Sequence, residues 1–452
     1  MRYRSNGRKP RPRCHTTVVY VVMLAALSGC ASPGKIINQP LQAAGALPSS
    51  QPAAAEADSD GWFVGLALSG GGSRSSNFAA ACMLELQQIG LLQRVDYVSA
   101  VSGGALAAAY YCAMPDPQWQ ASVVQERLSY PFARDALHRA MLPWNALWLG
   151  LSDWDRSDVL VDEFNEHLFK TNGKPLTYAD LRKDRPQLLL NATDLETGRR
   201  FVFCPRSFAE MGSDLGRYPL ASAVMASAAV PVLLHPVTLR DYSTAYRQYR
   251  HLVDGGVADN LGVRSLIEAY EMNEKHAQAQ GRPGPYPKGV ILIAIDARIY
   301  SSSTLSDAAD PSLVQTIAAA ARSATSNMIN RISMSTLTDA VSNFCDDQMT
   351  VAQLRQGLKE LKERGYAQTR DAKGRPIHIV HLALSRTRQI DNLPFDTFAH
   401  AVDSIGTDFS IKPRQAHHLY QAAKVLMSEH YGPILVPLAR QMQATEKSAQ
   451  AK

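Results

Sequence analysis

The chain has 452 residues, 46% of them hydrophobic and 19% charged, the composition of an ordinary folded globular protein rather than a disordered one. Its formal charge of +6 comes from 47 Lys and Arg against 41 Asp and Glu. Residues 1–29 hold six of those bases and no acid, so the rest of the chain is formally neutral and gives no support to nucleic-acid binding.

Residues 1–29 read as an address. Arg2, Arg4, Arg8, Lys9, Arg11 and Arg13 precede an apolar run of 12 residues at 16–27, too short to span a bilayer as a mature helix. The run ends in Leu27-Ser28-Gly29-Cys30, which resembles the bacterial lipobox. That resemblance implies cleavage before Cys30, a diacylglycerol on its thiol and acylation of its freed amine. Two or more acyl chains anchor a protein stably where one does not. An ordinary secretory signal or an uncleaved anchor, with Cys30 incidental, is the alternative. Residues 31–60 are mostly Ala, Pro, Gln, Ser and Gly and read as a flexible tether. Ala31 rather than Asp follows the cysteine, which by resemblance to bacterial sorting patterns favours the outer membrane of the cell envelope over the inner one.

The folded part begins with an apolar strand at 62–68. Ser69-Gly70-Gly71-Gly72-Ser73-Arg74 follows, then helix composition over 75–88. Such a loop can aim several backbone amides at one anion. A nucleotide phosphate loop is the rival reading, but the Gly-Lys-Ser/Thr string is missing, and a dinucleotide fingerprint would need Gly where Ser75 stands. Arg74 is placed to orient the loop or to meet an anionic head group.

A second buried strand is expected at 95–101, ending at Ser102-Gly103-Gly104, with strong helix formers from Ala105 on. A serine on a sharp strand-to-helix turn presents its hydroxyl, and the adjoining helix N-terminus offers free amides to a developing oxyanion. A glycine-containing turn with an incidental serine is the bland alternative.

Trp144, Trp148 and Trp154 mark a stretch that is either interfacial or, more simply, a core-packing helix. A strand at 187–190 leads into the block 191–198, and a second block covers 223–232. A further strand ends at Asp254-Gly255-Gly256, 152 residues after Ser102. Buried, such a carboxylate can take a hydroxyl proton directly; a turn aspartate beside glycines is the plainer reading. Another strand is expected at 290–296, its terminal Asp296 given no role. Beyond residue 300 the chain reads as mostly helical, with an exposed amphipathic helix at 352–364, one strand at 377–384 and helices over 413–445.

Cys82, Cys112, Cys204 and Cys345 are far apart and read as isolated, mostly buried thiols. No His-Glu-x-x-His and no clustered Cys/His occurs, so no metal and no cofactor is assigned. A Ser-His-Asp hydrolase would draw its histidine from His378, His381, His400, His417, His418 or His430, none of them in a glycine-flanked loop; His235 and His251 lie nearer the motifs but read as structural.

Taken together, the glycine loop followed by Arg74, the Ser102 turn, the Asp254-Gly-Gly string and the two blocks resemble the patatin-like phospholipase family over roughly residues 62–296. The resemblance implies an α/β fold: a patatin-like three-layer sandwich with a central, mostly parallel sheet flanked by helices. It implies Ser102 as nucleophile and Asp254 as base, with the amides of Gly70, Gly71 and Gly72 as oxyanion hole and Arg74 in support. Gly103, Gly104, Gly255 and Gly256 shape the turns. The substrate implied is a phospholipid or lysophospholipid, cleaved through an acyl-serine. Acyl transfer by the same dyad, or a non-catalytic lipid- or partner-binding lipoprotein, are the alternatives. The family's first elbow glycine is Ala100 here, a methyl expected to crowd the turn. Residues 61–300 would then be the catalytic core and 301–452 a part that completes or covers the same domain.

Overall fold

The computed structural model describes residues 35–41, 60–142, 155–231, 234–246, 248–299, 351–371, 373–387 and 411–450, with Ser335, Thr336, Thr338, Ser342, Val402, Ile405, Phe409 and Ser410. Cys30, Cys345, His400, Trp144, Trp148 and Trp154 lie outside the described residues.

The central strand β1 (Trp62–Leu68) is buried along its whole length. It pairs in parallel with β2 (Tyr97–Val101) on one side and with β9 (Gly289–Asp296) on the other. Beyond β2 lies β5 (Gln187–Asp194), and beyond β9 lies β11 (Pro376–Ala383), both parallel as well. Antiparallel strands close the rims: β10 (Tyr366–Arg370) on β11, β6 (Arg200–Phe203) and β8 (Tyr249–Asp254) on β5, and β7 (Val237–Arg240) on β8. The short pair β3 (Lys170–Thr171) and β4 (Lys174–Pro175) forms a separate ribbon.

Near-continuous apolar strands of this kind require cover on both faces, and the alternation along β1 shows which residues face which layer. Val64, Leu66 and Leu68 belong to one core cluster. That layer is built by α1 (Gly72–Gln88), α2 (Gly103–Ala113), α5 (Arg156–His167), α7 (Leu220–Ala228) and α10 (Pro413–Val425), with α3 (Ala121–Leu128) and α4 (Phe132–Ala140) outside. Phe63 and Ala67 point the other way, toward α8 (Val263–Ala279) and Leu361 of α9 (Val351–Arg364). Two helical layers thus sandwich a mixed, mostly parallel sheet. The short α6 (Pro205–Glu210) follows β6. At the C-terminus α10 passes through a π turn at Leu426–Tyr431 into α11 (Gly432–Gln450). No helix among the described residues is long and apolar enough to cross a membrane.

Three expectations change. The strand expected at 187–190 runs on to Asp194, because β6 and β8 supply partners for residues 190–194. Tyr366–Arg370, which continues from a polar helix without an apolar run, is a strand because β11 gives it a ladder. Part of the expected free tether is docked: Asn38, 4% exposed, exchanges hydrogen bonds with the backbone of Arg240, and Pro40 bridges to Ser213. A single Asn that satisfies strand amides outweighs the flexible composition around it.

Candidate active site

The site is assembled by strand register. Val101, the last residue of β2, lies opposite Asn191 of β5. Asp254, the last residue of β8, lies opposite Ala192, the next position of β5. Residues 190 and 191 have β2 and β6 as neighbours, and residues 192 and 193 have β6 and β8. A strand has only two edges, so β2 and β8 occupy the same edge of β5 and meet end to end. Ser102 and Asp254 are therefore brought together although 152 residues separate them.

Ser102 has φ 50° and ψ −121°, a backbone conformation that a residue with a Cβ adopts only under constraint. The constraint is visible. Its amide donates to Ser227 Oγ at 2.9 Å, and Ser227 Oγ donates to the Asn191 carbonyl at 2.6 Å. Asn191 in turn donates from Nδ2 to Ser99 Oγ (2.9 Å) and to the Ala100 carbonyl (3.0 Å). On the far side of the turn, a Cβ at Gly103 would stand 2.0 Å from the Gly72 carbonyl oxygen, so only glycine lets α2 begin there.

The Asp254 carboxyl stands close enough to the Ser102 hydroxyl for that hydroxyl to lower its pKa. Its Oδ1 also accepts the Gly256 amide at 2.7 Å. Its backbone is fixed through Asp254 N to the Ala229 carbonyl (2.9 Å) and Thr193 Oγ1 to the Asp254 carbonyl (2.9 Å). Gly255 is needed because a Cβ there would meet the Asn191 carbonyl oxygen at 2.2 Å. Burial pushes the Asp254 carboxyl up to about 6, against the lowering effect of the Ser102 hydroxyl and the Gly256 amide. A hydroxyl beside a buried carboxyl of this strength can pass its proton to it near neutral pH.

The glycine loop lies directly against the serine: a Cβ on Gly70 would be 3.3 Å from Ser102 Cβ. Its amides are not equivalent. Gly70 donates to the Asn260 carbonyl at 3.0 Å, so this amide is committed to holding the loop onto the Asp254 segment, which corrects its expected place among the free donors. The Gly71 and Gly72 amides make no hydrogen bond to the described residues, and neither does the amide of Gly103. These are the donors available to an oxyanion. Arg74, expected to reach a head group or to orient the loop, is 9% exposed and donates to the carbonyls of Ala297 (2.9 Å) and Ile405 (3.1 Å). It braces α1 beneath the loop.

The remaining titratable candidates stand elsewhere. His381 is paired with Asp296 at 2.9 Å, where Arg298 also binds the carboxylate. His378 meets the Tyr366 hydroxyl, His251 meets Thr238, and His235 lies 3.4 Å from Asp155. Cys82 and Cys112 are buried free thiols and Cys204 is half-buried and free. Among the described residues no group of three or more His, Cys, Asp or Glu could hold a metal ion. The supports Asn191, Ser227 and Asn260 were given no role by sequence reasoning, although the first two fall inside the motif blocks and Asn260 lies four positions after Gly256.

Residues 66–267 match the family described as patatin-like phospholipase. A comparison with curated proteins gives no match. Among solved structures, human GIVD cytosolic phospholipase A2 is similar at 11% identity and a TM-score of 0.46, with 95% of this chain and 64% of that one covered. The same enzyme in complex with methyl gamma-linolenyl fluorophosphonate inhibitor and terbium chloride gives 14% and 0.45, covering 92% of this chain. The chain spans 66% of the length of that relative. VipD from Legionella pneumophila is more distant, with 14% identity, a TM-score of 0.29, and 82% and 67% of the two chains covered. The family match thus makes residues 66–267 of this chain similar to a patatin-like phospholipase domain.

Proposed function

We propose that the protein is a serine acyl hydrolase acting on phospholipid or lysophospholipid esters with a Ser102–Asp254 dyad. The observation that carries this reading is the register on β5, which sets Ser102, held at φ 50°, beside the buried Asp254 carboxyl. Ionised Asp254 takes the Ser102 proton as Oγ attacks the ester carbonyl. The tetrahedral oxyanion is met by the amides of Gly71, Gly72 and Gly103. The ester C–O bond then breaks, and Asp254 returns the proton to the departing alcohol, leaving an acyl-serine. Water, giving a proton to the same carboxylate, attacks that ester; the fatty acid leaves and Ser102 regains its proton.

Cys30, by its lipobox-like setting, is the proposed lipid attachment site, and the cell envelope, on the outer membrane, the proposed location. The test uses the full chain beside Ser102→Ala and Asp254→Asn, with a fluorophosphonate probe and phospholipid vesicles. Labelling of the wild type, lost in Ser102→Ala, with fatty-acid release collapsing by at least about a hundredfold in Asp254→Asn, is expected. Turnover that survives Ser102→Ala refutes the dyad.

A further inference from the structure

The docked piece of the tether sets how far the folded domain can stand from any lipid on Cys30. Residues 38–41 are fastened to one rim of the molecule by an array of bonds. Asn38 Nδ2 donates to Ser213 Oγ (3.0 Å) and to the Arg240 carbonyl (2.8 Å), and Arg240 N donates to Asn38 Oδ1 (2.8 Å). The Tyr242 hydroxyl donates to the Asn38 carbonyl at 2.8 Å. Ser213 Oγ and Asp214 N both donate to the Gln39 carbonyl at 2.9 Å, and Leu41 N donates to the Gly212 carbonyl at 2.9 Å. Only five residue steps separate Cys30 from Lys35, the first described residue, so the link reaches at most about 18 Å.

The rim so tethered has the chemistry of a membrane–water boundary. The β7–β8 hairpin projects Tyr246, 92% exposed, from its loop, and Tyr249, 42% exposed, beside Arg240 in the ladder. Ile36, itself 42% exposed, adjoins Asn38 on the docked segment. Arg240 is exposed and lies 5.3 Å over the Tyr242 ring, and Lys35 is exposed at the end of the docked piece. Of the two acids of this hairpin, Asp254 is buried in the site and Asp241 is buried and satisfied by Arg250 (3.0 Å) and Ser243, so neither opposes an anionic surface. Aromatic rings with a polar tip favour the head-group layer, and nearby cations favour anionic lipids.

We infer that residues 35–41 and the β7–β8 hairpin form a membrane-facing surface: the docked segment fixes the domain so that Tyr246, Tyr249 and Arg240 lie against the lipid bilayer in which acylated Cys30 is anchored. This rests on the lipidation reading above. The opposite rim of the sheet, at β10 and its turn to β11, faces away.

The test is carried out on the full acylated chain in vesicles that contain anionic phospholipid and a diazirine-bearing phospholipid, with adducts mapped by mass spectrometry. Adducts over residues 240–250 should exceed those over 366–376 by at least about tenfold, given the short link. Asn38→Ala, which removes the side-chain bonds to Arg240 and Ser213, should lower the hairpin adducts at least about threefold while acylation and vesicle binding persist. Ten added Gly/Ser residues between Ala31 and Gly34 should do the same without touching the docked contacts, which separates loss of tethering from loss of folding. Equal labelling of the two rims on an acylated, bound chain overturns the orientation alone. A chain whose Cys30 carries no lipid overturns both the anchor and the orientation.

Discussion

Asp254→Asn separates what the carboxylate does for chemistry from what it costs the fold. The Asp254 carboxyl stands at about 6 against an ordinary 3.8, which corresponds to about 3 kcal/mol at about 1.4 kcal/mol per pH unit. The sign follows from proton binding. Between those two values the native state holds a proton that the unfolded chain has released, so native stability falls as pH rises. The loss is complete above about pH 7, where the buried group is ionised in both states. Asparagine keeps an Oδ1 acceptor for the Gly256 amide and cannot ionise. At pH 8 the variant is therefore expected to be more stable than wild type by up to about 3 kcal/mol, with the difference vanishing below about pH 4.

The assay is urea unfolding of both proteins at one-unit steps from pH 4 to pH 8, comparing midpoints of the same transition. In parallel, wild-type kcat/KM should rise with pH through a single ionisation near 6 and then level off, because only the ionised carboxylate accepts the Ser102 proton. A stability difference that stays constant across the range refutes the argument, since it would mean that Asp254 titrates like an exposed aspartate. An active site that is destabilised by its own working charge is a familiar form of the trade between stability and activity.

Three further outcomes follow from named contacts. Ser102→Gly should raise stability by about 1 kcal/mol, because glycine adopts φ 50° without strain, whereas Ser102→Ala should not; equal urea midpoints for the two variants count against strain at this position. Ser227→Ala leaves the buried Ser102 amide without its acceptor, and should cost about 1–3 kcal/mol and lower kcat far more than it changes KM. Asp296→Asn uncouples Arg298 and His381 and should cost about 3–5 kcal/mol at neutral pH. Burial alone would raise the Asp296 carboxyl, but Arg298 and His381 hold it well below the ordinary range, so its contribution is present at neutral pH and is lost in strong acid. The stability profile of that variant should accordingly be flatter than wild type below about pH 4.

Ser102 and Asp254 are legible in the sequence because each sits beside glycines that the backbone cannot replace, and glycine pairs leave a mark in the string itself. What supports them leaves no such mark. Ser227 is one small residue in an apolar helix, and its place beneath the Ser102 amide depends on α7 ending against β5, a tertiary fact. The Gly70 amide looks identical to its neighbours until Asn260, 190 positions later, takes it. The docked tether was missed for a similar reason: composition sums over a window, while Asn38 acts as a single residue meeting one strand edge.

The same contrast explains why Ala100 is tolerated where the family pattern has glycine. A methyl was expected to crowd the turn, but the turn has not begun at that position. Ala100 is an ordinary strand residue, facing Leu68 of β1 and Leu190 of β5, and is not among the residues with positive φ. Its carbonyl even serves the site by accepting Asn191. The sharp reversal falls on Ser102, and the close approach falls after it, where Gly103 meets Gly72. The glycine on the N-terminal side of the serine is thus a matter of sequence pattern in this chain, and the one on the C-terminal side is a matter of space. Gly103→Ala is therefore the substitution that should displace the glycine loop, at a cost of roughly 3 kcal/mol or more for the overlap, whereas Ala100→Gly should remove buried strand surface and weaken the protein by about 1 kcal/mol without changing how fluorophosphonate labels Ser102.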